Sequence, residues 1–223
     1  MAQVYMDVKK ELSRKGFVFI PKWNVNQTIN ELAGNLGSIV KISDYLNHSM
    51  ISDAQLISPK DKDNALKNQY SGEFGLDAFP LHTDLAHWSQ PPNYLMLRCI
   101  KGDERVATKI LPLDIIKDML EQHGIRRSVV KSRGRNGCLF PLLFNVNGEC
   151  FIRWDSYFLE PINENARVIR KLMLTREVWE LAIDVYLVNF GDTLILNNHA
   201  ILHGRSNIPS NFTERKIERI YFN

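Results

Sequence analysis

The amino-acid sequence predicts a mostly β protein with flanking helices (α+β), arranged as a double-sheet jelly roll. Three observations lead to this prediction. Short β-rich segments with turn residues between them recur along the chain, few segments have helical periodicity, and the last third brings several strand patterns close together. Many short strands separated by turns are typical of two-sheet β folds. The sequence has no internal repeat or low-complexity tract that would favour another architecture.

The first predicted elements are a strand and a helix. Residues 16–20 form a short apolar run that Pro21 ends, which is typical of a buried strand. We expect the helix to have its N-cap at Asn24 or Asn26 and a left-handed stop at Gly37. Its apolar face is predicted from four residues at helical spacing, namely Ile29, Leu32, Ala33 and Leu36.

A strand and a long polar connection follow. Residues 54–58 predict the strand, and residues 59–80 are polar, rich in Gly, Asp, Asn and Lys, and without periodicity. A connection of this length without secondary structure is typical of a functional lid or a disordered loop.

The middle of the chain predicts strands around one helix. Residues 93–100 and 104–111 have strand patterns, and we expect a tight hairpin at residues 101–103. Residues 113–122 have a helical stripe that ends near Gly124, a typical stop residue.

The second half predicts a hairpin, one long helix and a group of strands. Asn147 and Gly148 form a strong two-residue hairpin signal between strand patterns at 139–145 and 149–154. Residues 163–184 have the longest helical pattern. The remaining strand patterns cover residues 185–189, 193–197 and 215–222.

Length and composition fit a single domain over residues 1–223, since 44% of the residues are hydrophobic and can fill a core. The net charge of +3 comes from interspersed charges, which favours neither a nucleic-acid nor a membrane partner. The basic residues at 126–127 and 131–135 lack interleaved aromatic residues, so we interpret them as solvated loop.

The cysteines and the N-terminus indicate the compartment. Cys99, Cys138 and Cys150 are widely spaced, which predicts reduced and mostly buried thiols. No apolar signal core and no apolar run of 18 residues occurs. We therefore expect a soluble, cytoplasmic protein.

One short stretch has the chemistry of a metal site. His82 and Asp84 lie two residues apart, so in an extended segment both side chains point the same way. They would supply two of the three ligands in the 2-His-1-carboxylate triad that holds non-haem Fe(II). A later strand pattern at residues 197–205 offers His199 and His203 as the third ligand. A single His-x-Asp triplet is common on polar loops, so the interpretation depends on further residues.

Those further residues are present. The segments FPLHTDLAHW, YLMLRC, GDTLILNNHAILHGR and ERKIERI, together with Thr108, resemble the taurine dioxygenase and clavaminate synthase-like family of Fe(II)/2-oxoglutarate oxygenases. The resemblance extends from Gly16 to the C-terminus and implies a double-stranded β-helix, the cupin-like jelly roll. The family pattern Asn-x-x-x-x-His-Gly-Arg, read from Asn198, selects His203 over His199.

The resemblance also implies which residues bind the cofactors. His82, Asp84 and His203 would bind Fe(II), and O2 would be the oxidant. Arg215 would hold the distal carboxylate of 2-oxoglutarate with its planar guanidinium, helped by the hydroxyl of Thr108. Eleven residues separate His203 from Arg215, one more than the commonest family spacing, and the loop between them can absorb an insertion.

Four residues are candidates for substrate binding. Arg219 lies four residues after Arg215, where relatives with anionic substrates place a substrate-binding arginine. His87 and Trp88 follow the metal motif and either line the substrate pocket or serve as a surface imidazole and a packing residue. Arg153 occupies a position where relatives carry a substrate-facing or core-facing arginine, and both alternatives stay open.

The implied activity is hydroxylation of an unactivated C–H bond in a small polar or amino acid-like substrate, with release of succinate and CO2. Asp84 argues against a halogenase, in which a small residue replaces the carboxylate ligand. A carrier-tethered substrate is also compatible, because the region between the ligand segments is short. Two alternatives remain: a cupin-like zinc or manganese enzyme that has no need of Arg215, and a catalytically silent jelly-roll binding module. The sequence leaves the oligomeric state open.

Overall fold

The structure is a computed structural model that describes residues 2–44, 52–67, 69–133, 137–146, 148–211 and 214–223. The helices in these ranges are α1 (Ala2–Lys15), α2 (Ile29–Leu36), α3 (Tyr70–Phe74), α4 (Leu113–Gln122), α5 (Glu164–Met173) and α6 (Arg176–Glu180), with short 3-10 helices at Ile42–Asp44, Lys62–Asn64 and Ile125–Arg127.

The strands account for most of the architecture. They are β1 (Phe17–Ile20), β2 (Gln55–Ile57), β3 (Phe79–His82), β4 (Tyr94–Lys101), β5 (Ala107–Pro112), β6 (Val129–Ser132), β7 (Leu139–Pro141), β8 (Leu143–Val146), β9 (Glu149–Ile152), β10 (Leu159–Pro161), β11 (Ile183–Tyr186), β12 (Thr193–Asn197), β13 (Ile201–Arg205) and β14 (Lys216–Phe222).

Two antiparallel sheets form the centre of the fold. Sheet I has the order β1-β12-β4-β14-β2, and sheet II has the order β11-β5-β13-β3. One apolar cluster joins them, because it contains Leu97 and Leu196 of sheet I together with Ile110 and Ile201 of sheet II. A smaller sheet, β10-β6-β7, and the hairpin β8-β9 lie beside them. The sheets therefore pack face to face, as predicted.

Helices cover the outer faces of the two sheets. Residues of α1 and α2 pack with Met96, Ile195 and Phe222 of sheet I, and residues of α4 and α5 pack with Leu111 and Leu202 of sheet II. Strand β12 is consequently buried on both faces, which explains its uninterrupted apolar run. No helix in the described ranges is long and apolar enough to cross a bilayer.

The helix α2 forms as predicted, but its ends differ from the prediction. Thr28, and neither Asn24 nor Asn26, is the N-cap, since its hydroxyl accepts from the Glu31 amide at 3.2 Å and the Glu31 carboxylate accepts from the Thr28 amide at 2.7 Å. Gly37 is extended, with φ −173°, and not left-handed. A Cβ at Gly37 would lie 2.2 Å from the Asn223 carbonyl oxygen, so a close approach explains the glycine.

Two predicted connections are wrong. Strands β4 and β5 do not form a hairpin around residues 101–103, because β4 lies in sheet I and β5 in sheet II. The segment crosses between the sheets beside Leu187, whose carbonyl oxygen would be 2.0 Å from a Cβ at Gly102. The connection at residues 59–80 is not structureless, since it contains a 3-10 helix and α3. Its Tyr70 and Phe74 pack against other rings instead of facing solvent.

The long helix predicted at residues 163–184 is interrupted. Thr175 ends the first segment by capping α6, because its hydroxyl accepts from the Val178 amide. Ile183 and Val185 then belong to β11, which pairs with β5. Position 183 also continues the helical stripe of the preceding residues, so only its pairing with β5 distinguishes a strand from a helix there.

The hairpin predicted around residues 147–148 is confirmed by the antiparallel pairing of β8 with β9, and Gly148 has the expected positive φ of 86°. Asn147 lies outside the described residues, as do Gly134 and Arg135 of the basic segment. The cysteines are free, and Cys99 is buried. Cys138 is exposed, so the prediction of mostly buried thiols is wrong there.

Candidate metal centre

Two neighbouring strands of sheet II bring the predicted ligands together. His82 ends β3 and pairs with His203 of β13, and Asp84 follows two residues later. The His82 and His203 Nε2 atoms lie 3.3 and 3.7 Å from the Asp84 Oδ1 atom. One ligand atom from each residue lies within 4.8 Å of the other two, and all three side chains are buried. Two imidazoles and a carboxylate thus converge on one point.

Gly204 allows this close approach. A Cβ at Gly204 would lie 2.6 Å from the Phe79 carbonyl oxygen, so any larger residue would push β3 away from β13. The pairing shifts register immediately after His203. The His82 and His203 ring centroids are consequently 4.4 Å apart.

The turn that carries Asp84 is held from two sides. The fully buried Asn198 accepts from the Asp84 amide at 2.9 Å and donates to the Asp84 and Pro92 carbonyls at 3.0 Å each. On the other side, the Thr83 amide donates to the Trp154 carbonyl at 2.7 Å. The Trp154 amide in turn donates to the Thr83 hydroxyl at 3.2 Å. Asp84 is therefore placed by the backbone before any ligand binds.

Both histidines turn their Nε2 atoms toward Asp84. His82 Nδ1 lies 2.8 Å from the Pro80 carbonyl oxygen, which can only accept, so Nδ1 carries a proton and Nε2 is the nitrogen that would bind a metal ion. Burial would lower the pKa of His82, but the hydrogen bond and charge of Asp84 outweigh it and raise that pKa. Burial, together with the adjacent His82, lowers the pKa of His203 to about 3, so His203 is neutral at physiological pH.

Asp84 is ionised despite its burial. Burial would raise the pKa of Asp84, but the positive charge of Arg219, the hydrogen bond from His82 and the adjacent His203 outweigh it and hold that pKa well below its usual range. The Asp84 Oδ2 atom accepts from Arg219 Nη1 at 3.2 Å and from the Tyr221 hydroxyl at 2.9 Å. Two imidazoles and one carboxylate form a donor set that suits a divalent iron ion.

The structure also matches solved proteins over its whole length. It aligns with asparagine oxygenase in complex with Fe(II), 2S,3S-3-hydroxyasparagine and succinate, at 16% identity and a TM-score of 0.70, covering 100% of this chain and 79% of that one. It aligns with the non-heme iron oxygenase OrfP in complex with Fe and alpha-ketoglutaric acid at 18% identity and a TM-score of 0.71, covering 99% and 80%.

A third match is OrfP in complex with Fe, succinate and (3S)-hydroxy-L-Arg, at 19% identity and a TM-score of 0.70, covering 99% and 79% of the two chains. The chain has the fold of non-haem iron oxygenases. The predicted jelly roll is confirmed, and the resemblance seen in the sequence is confirmed at the level of fold. No protein-family model matches the sequence, and a search of curated proteins finds no match either.

Within this oxygenase fold, His199 lies apart from the triad. Its Nε2 lies 2.9 Å from the Pro91 carbonyl oxygen, and its ring packs edge-on against Phe144 and Phe151. Burial lowers the pKa of His199, so a neutral imidazole is expected there. The geometry brings His203, and not His199, next to His82 and Asp84.

The two residues predicted to bind the co-substrate are both buried. Thr108 lies on β5 opposite Arg205 of β13, and Arg215 immediately precedes β14. Burial lowers the pKa of Arg215 to about 10, so its guanidinium remains charged at neutral pH. Among the described residues no carboxylate lies within ion-pair distance of Arg215, and its Nε has no hydrogen-bond partner. Such a cation fits an anionic ligand.

Three predicted substrate residues have contacts within the protein. Arg219 contacts both the triad and the edge strand β2. In addition to its bond with Asp84, its Nη2 donates to the side-chain oxygen of Gln55 on β2 at 2.7 Å. His87 is half-buried, with its ring 5.1 Å from that of Phe158, and burial lowers its pKa. Trp88 packs against the cluster between the sheets, which favours its packing role.

Arg153 clamps the backbone that follows the metal motif. Its guanidinium donates to the Ala86 carbonyl at 2.7 Å, to the Ser89 carbonyl at 2.9 Å and to the Trp88 carbonyl. It also lies over the Phe140 ring at 4.1 Å. The sequence left a substrate-facing and a core-facing role open, and these contacts favour the core-facing one.

Sequence reasoning missed the aromatic residue that covers His82. The Tyr70 ring stacks on His82 with 4.4 Å between centroids and 28° between planes, and its hydroxyl donates to Asp155 Oδ2 at 2.7 Å. Asp155 is buried, and its other oxygen accepts from the Tyr157 and Phe158 amides at 2.7 Å. The polar segment around Tyr70 has no sequence pattern that indicates a site residue. Tyr221, by contrast, could be identified as a site candidate because it shares the strand parity of Arg219.

Proposed function

We propose that the protein is an Fe(II)- and 2-oxoglutarate-dependent dioxygenase that hydroxylates a small amino acid-like substrate. The observation that carries the proposal is the buried cluster of His82, Asp84 and His203 on the fold of iron oxygenases. The solved neighbours hold iron with succinate, with alpha-ketoglutaric acid and with hydroxylated amino acids, which supports the same cofactor and substrate class here.

The residues present fit the metal and the co-substrate. His82 and His203 would supply neutral nitrogen donors, and Asp84 would supply one carboxylate oxygen. These three ligands would leave coordination positions for the keto-acid end of 2-oxoglutarate and for O2. Arg215, a buried cation without a partner for its Nε, would pair with the distal carboxylate, and Thr108 would add a hydroxyl.

When bound, iron, O2 and 2-oxoglutarate together supply the oxidising chemistry, with succinate and CO2 as products. The protein contributes position and shielding. Pro80 holds the His82 tautomer, Asn198 holds the Asp84 backbone, and the Tyr70 ring limits access of water to His82. The segment around α3, which carries Tyr70, would therefore act as a cover over His82.

Arg215 favours this proposal over the two alternative functions. A cupin-like zinc or manganese enzyme and a silent binding module have no need of a buried, unneutralised arginine, and burying one without purpose is costly. A carrier-tethered substrate and a cytoplasmic location remain predictions, and the free cysteines are compatible with a reducing compartment.

Purified protein supplied with Fe(II), ascorbate and 2-oxoglutarate is expected to form succinate slowly without a prime substrate, as uncoupled turnover. Adding the correct amino acid should accelerate succinate formation and O2 consumption together, because a bound substrate couples the two. Succinate is measured by mass spectrometry across a panel of free amino acids. Succinate equal to that of a metal-free, chelator-treated control would contradict the proposal.

A further inference from the structure

The two oxygens of the Asp84 carboxylate have different surroundings. Oδ1 faces the histidines, at 3.3 Å from His82 Nε2 and 3.7 Å from His203 Nε2. Oδ2 points the other way and accepts from Tyr221 at 2.9 Å and from Arg219 at 3.2 Å. A carboxylate that used both oxygens on one metal ion would have to give up the bonds to Oδ2.

We propose that Tyr221 is a positioning residue that holds Asp84 Oδ2 away from the metal, so that Asp84 ligates through Oδ1 alone. The inference rests on the proposed function, because it assumes that this cluster holds Fe(II). A carboxylate only accepts hydrogen bonds, so the Tyr221 hydroxyl is the donor. Partners of this kind orient a ligand and raise metal affinity without touching the ion.

The fold fixes the position of the Tyr221 hydroxyl. Tyr221 lies on β14 opposite Leu95 of β4, and its ring is buried in the cluster between the two sheets, with 1% of its surface exposed. Strand alternation places Ile217, Arg219 and Tyr221 on the same face. The packed ring therefore sets where the hydroxyl sits, and Asp84 must adapt to it.

Arg219 is the less constrained of the two partners. Its side chain is 28% exposed, and it divides its donors between Asp84 and Gln55 on the edge strand β2. A long, partly exposed side chain can turn toward a substrate, whereas a packed tyrosine ring cannot. Tyr221 would thus keep Asp84 in place while Arg219 exchanges partners during binding.

The test is Tyr221→Phe, which keeps the ring and removes only the hydroxyl. Tyr5→Phe is the matched control, since the Tyr5 hydroxyl also donates to a side chain, Gln27 at 3.0 Å, but lies on α1 outside sheet I. Both variants and the wild type are titrated anaerobically with Co(II), whose visible bands report ligand number, and with Fe(II) against a competing chelator.

Tyr221→Phe is expected to bind both metals about 10-fold more weakly or worse, with a changed Co(II) spectrum, while Tyr5→Phe behaves as wild type. Tyr221→Met, which also lacks the hydroxyl, should show the same loss. Thermal unfolding of the metal-free proteins identifies a merely structural role, which would lower the melting temperature and leave metal affinity unchanged. Wild-type affinity and spectrum in folded Tyr221→Phe would overturn the inference alone. Absence of Co(II) and Fe(II) binding by the wild type would overturn the proposed function as well.

Discussion

Replacing Asp84 by Ala is expected to abolish Fe(II) binding and Fe(II)-dependent succinate formation. The substitution would remove the only charged member of the proposed ligand set and leave two imidazoles, which bind a divalent ion far more weakly. His203→Ala should have the same effect, because its Nε2 faces the same point as that of His82. Iron content after anaerobic loading and succinate yield are measured on the same samples.

His199→Ala is the matched control for His203→Ala. His199 has the same strand parity and lies four residues earlier, but it contacts the Pro91 carbonyl and two phenylalanine rings instead of Asp84. The His199→Ala variant should keep its iron and at least part of its turnover. Loss of iron in His199→Ala together with retention in His203→Ala would contradict the ligand assignment. Circular dichroism separates loss of metal from loss of fold, since Asp84→Ala also leaves Arg219 without its carboxylate partner.

The second large effect is expected at Arg215. If Arg215 pairs with the distal carboxylate of 2-oxoglutarate, truncation to Ala leaves that buried charge unpaired and costs about 2–5 kcal/mol of co-substrate binding. The half-saturating 2-oxoglutarate concentration would then rise by roughly tens-fold or more. Metal affinity should stay near that of the wild type, because no contact of Arg215 with the triad is present among the described residues.

Arg219→Ala is the comparison variant, because Arg219 lies four residues after Arg215. Its loss removes one of two donors to Asp84 Oδ2, so metal affinity and coupling to the prime substrate should weaken while 2-oxoglutarate affinity changes little. Titrating 2-oxoglutarate against both iron-loaded variants distinguishes the roles. Weak 2-oxoglutarate binding by Arg219→Ala with normal binding by Arg215→Ala would reverse the assignment.

The parts of the site that local sequence could predict share one property: each depends on strand parity or on short spacing. His82 and Asp84 are two residues apart, and Arg215 and Arg219 are four apart. The apolar run at residues 194–196 of β12 is equally direct, because burial on both faces leaves no alternation of polar and apolar residues there. These features need no knowledge of which strand lies next to which.

The parts that could not be predicted depend on contacts between distant segments. Tyr70 donates to Asp155 across 85 residues, and neither position has a local pattern that indicates the other. Residues 101–103 have hairpin composition but cross between two sheets, and Ile183 has helical spacing but pairs with Ile110. In the last two cases tertiary structure overrides a local preference.

We propose that the His82, Asp84 and His203 cluster holds Fe(II) with 2-oxoglutarate bound directly to it. Visible absorption of the anaerobic protein tests this most directly, since a keto acid chelated to Fe(II) gives a charge-transfer band. We expect the band only when protein, Fe(II) and 2-oxoglutarate are all present, and we expect Asp84→Ala to lack it. Complete absence of the band in the folded wild-type protein with both ligands in excess would contradict the claim.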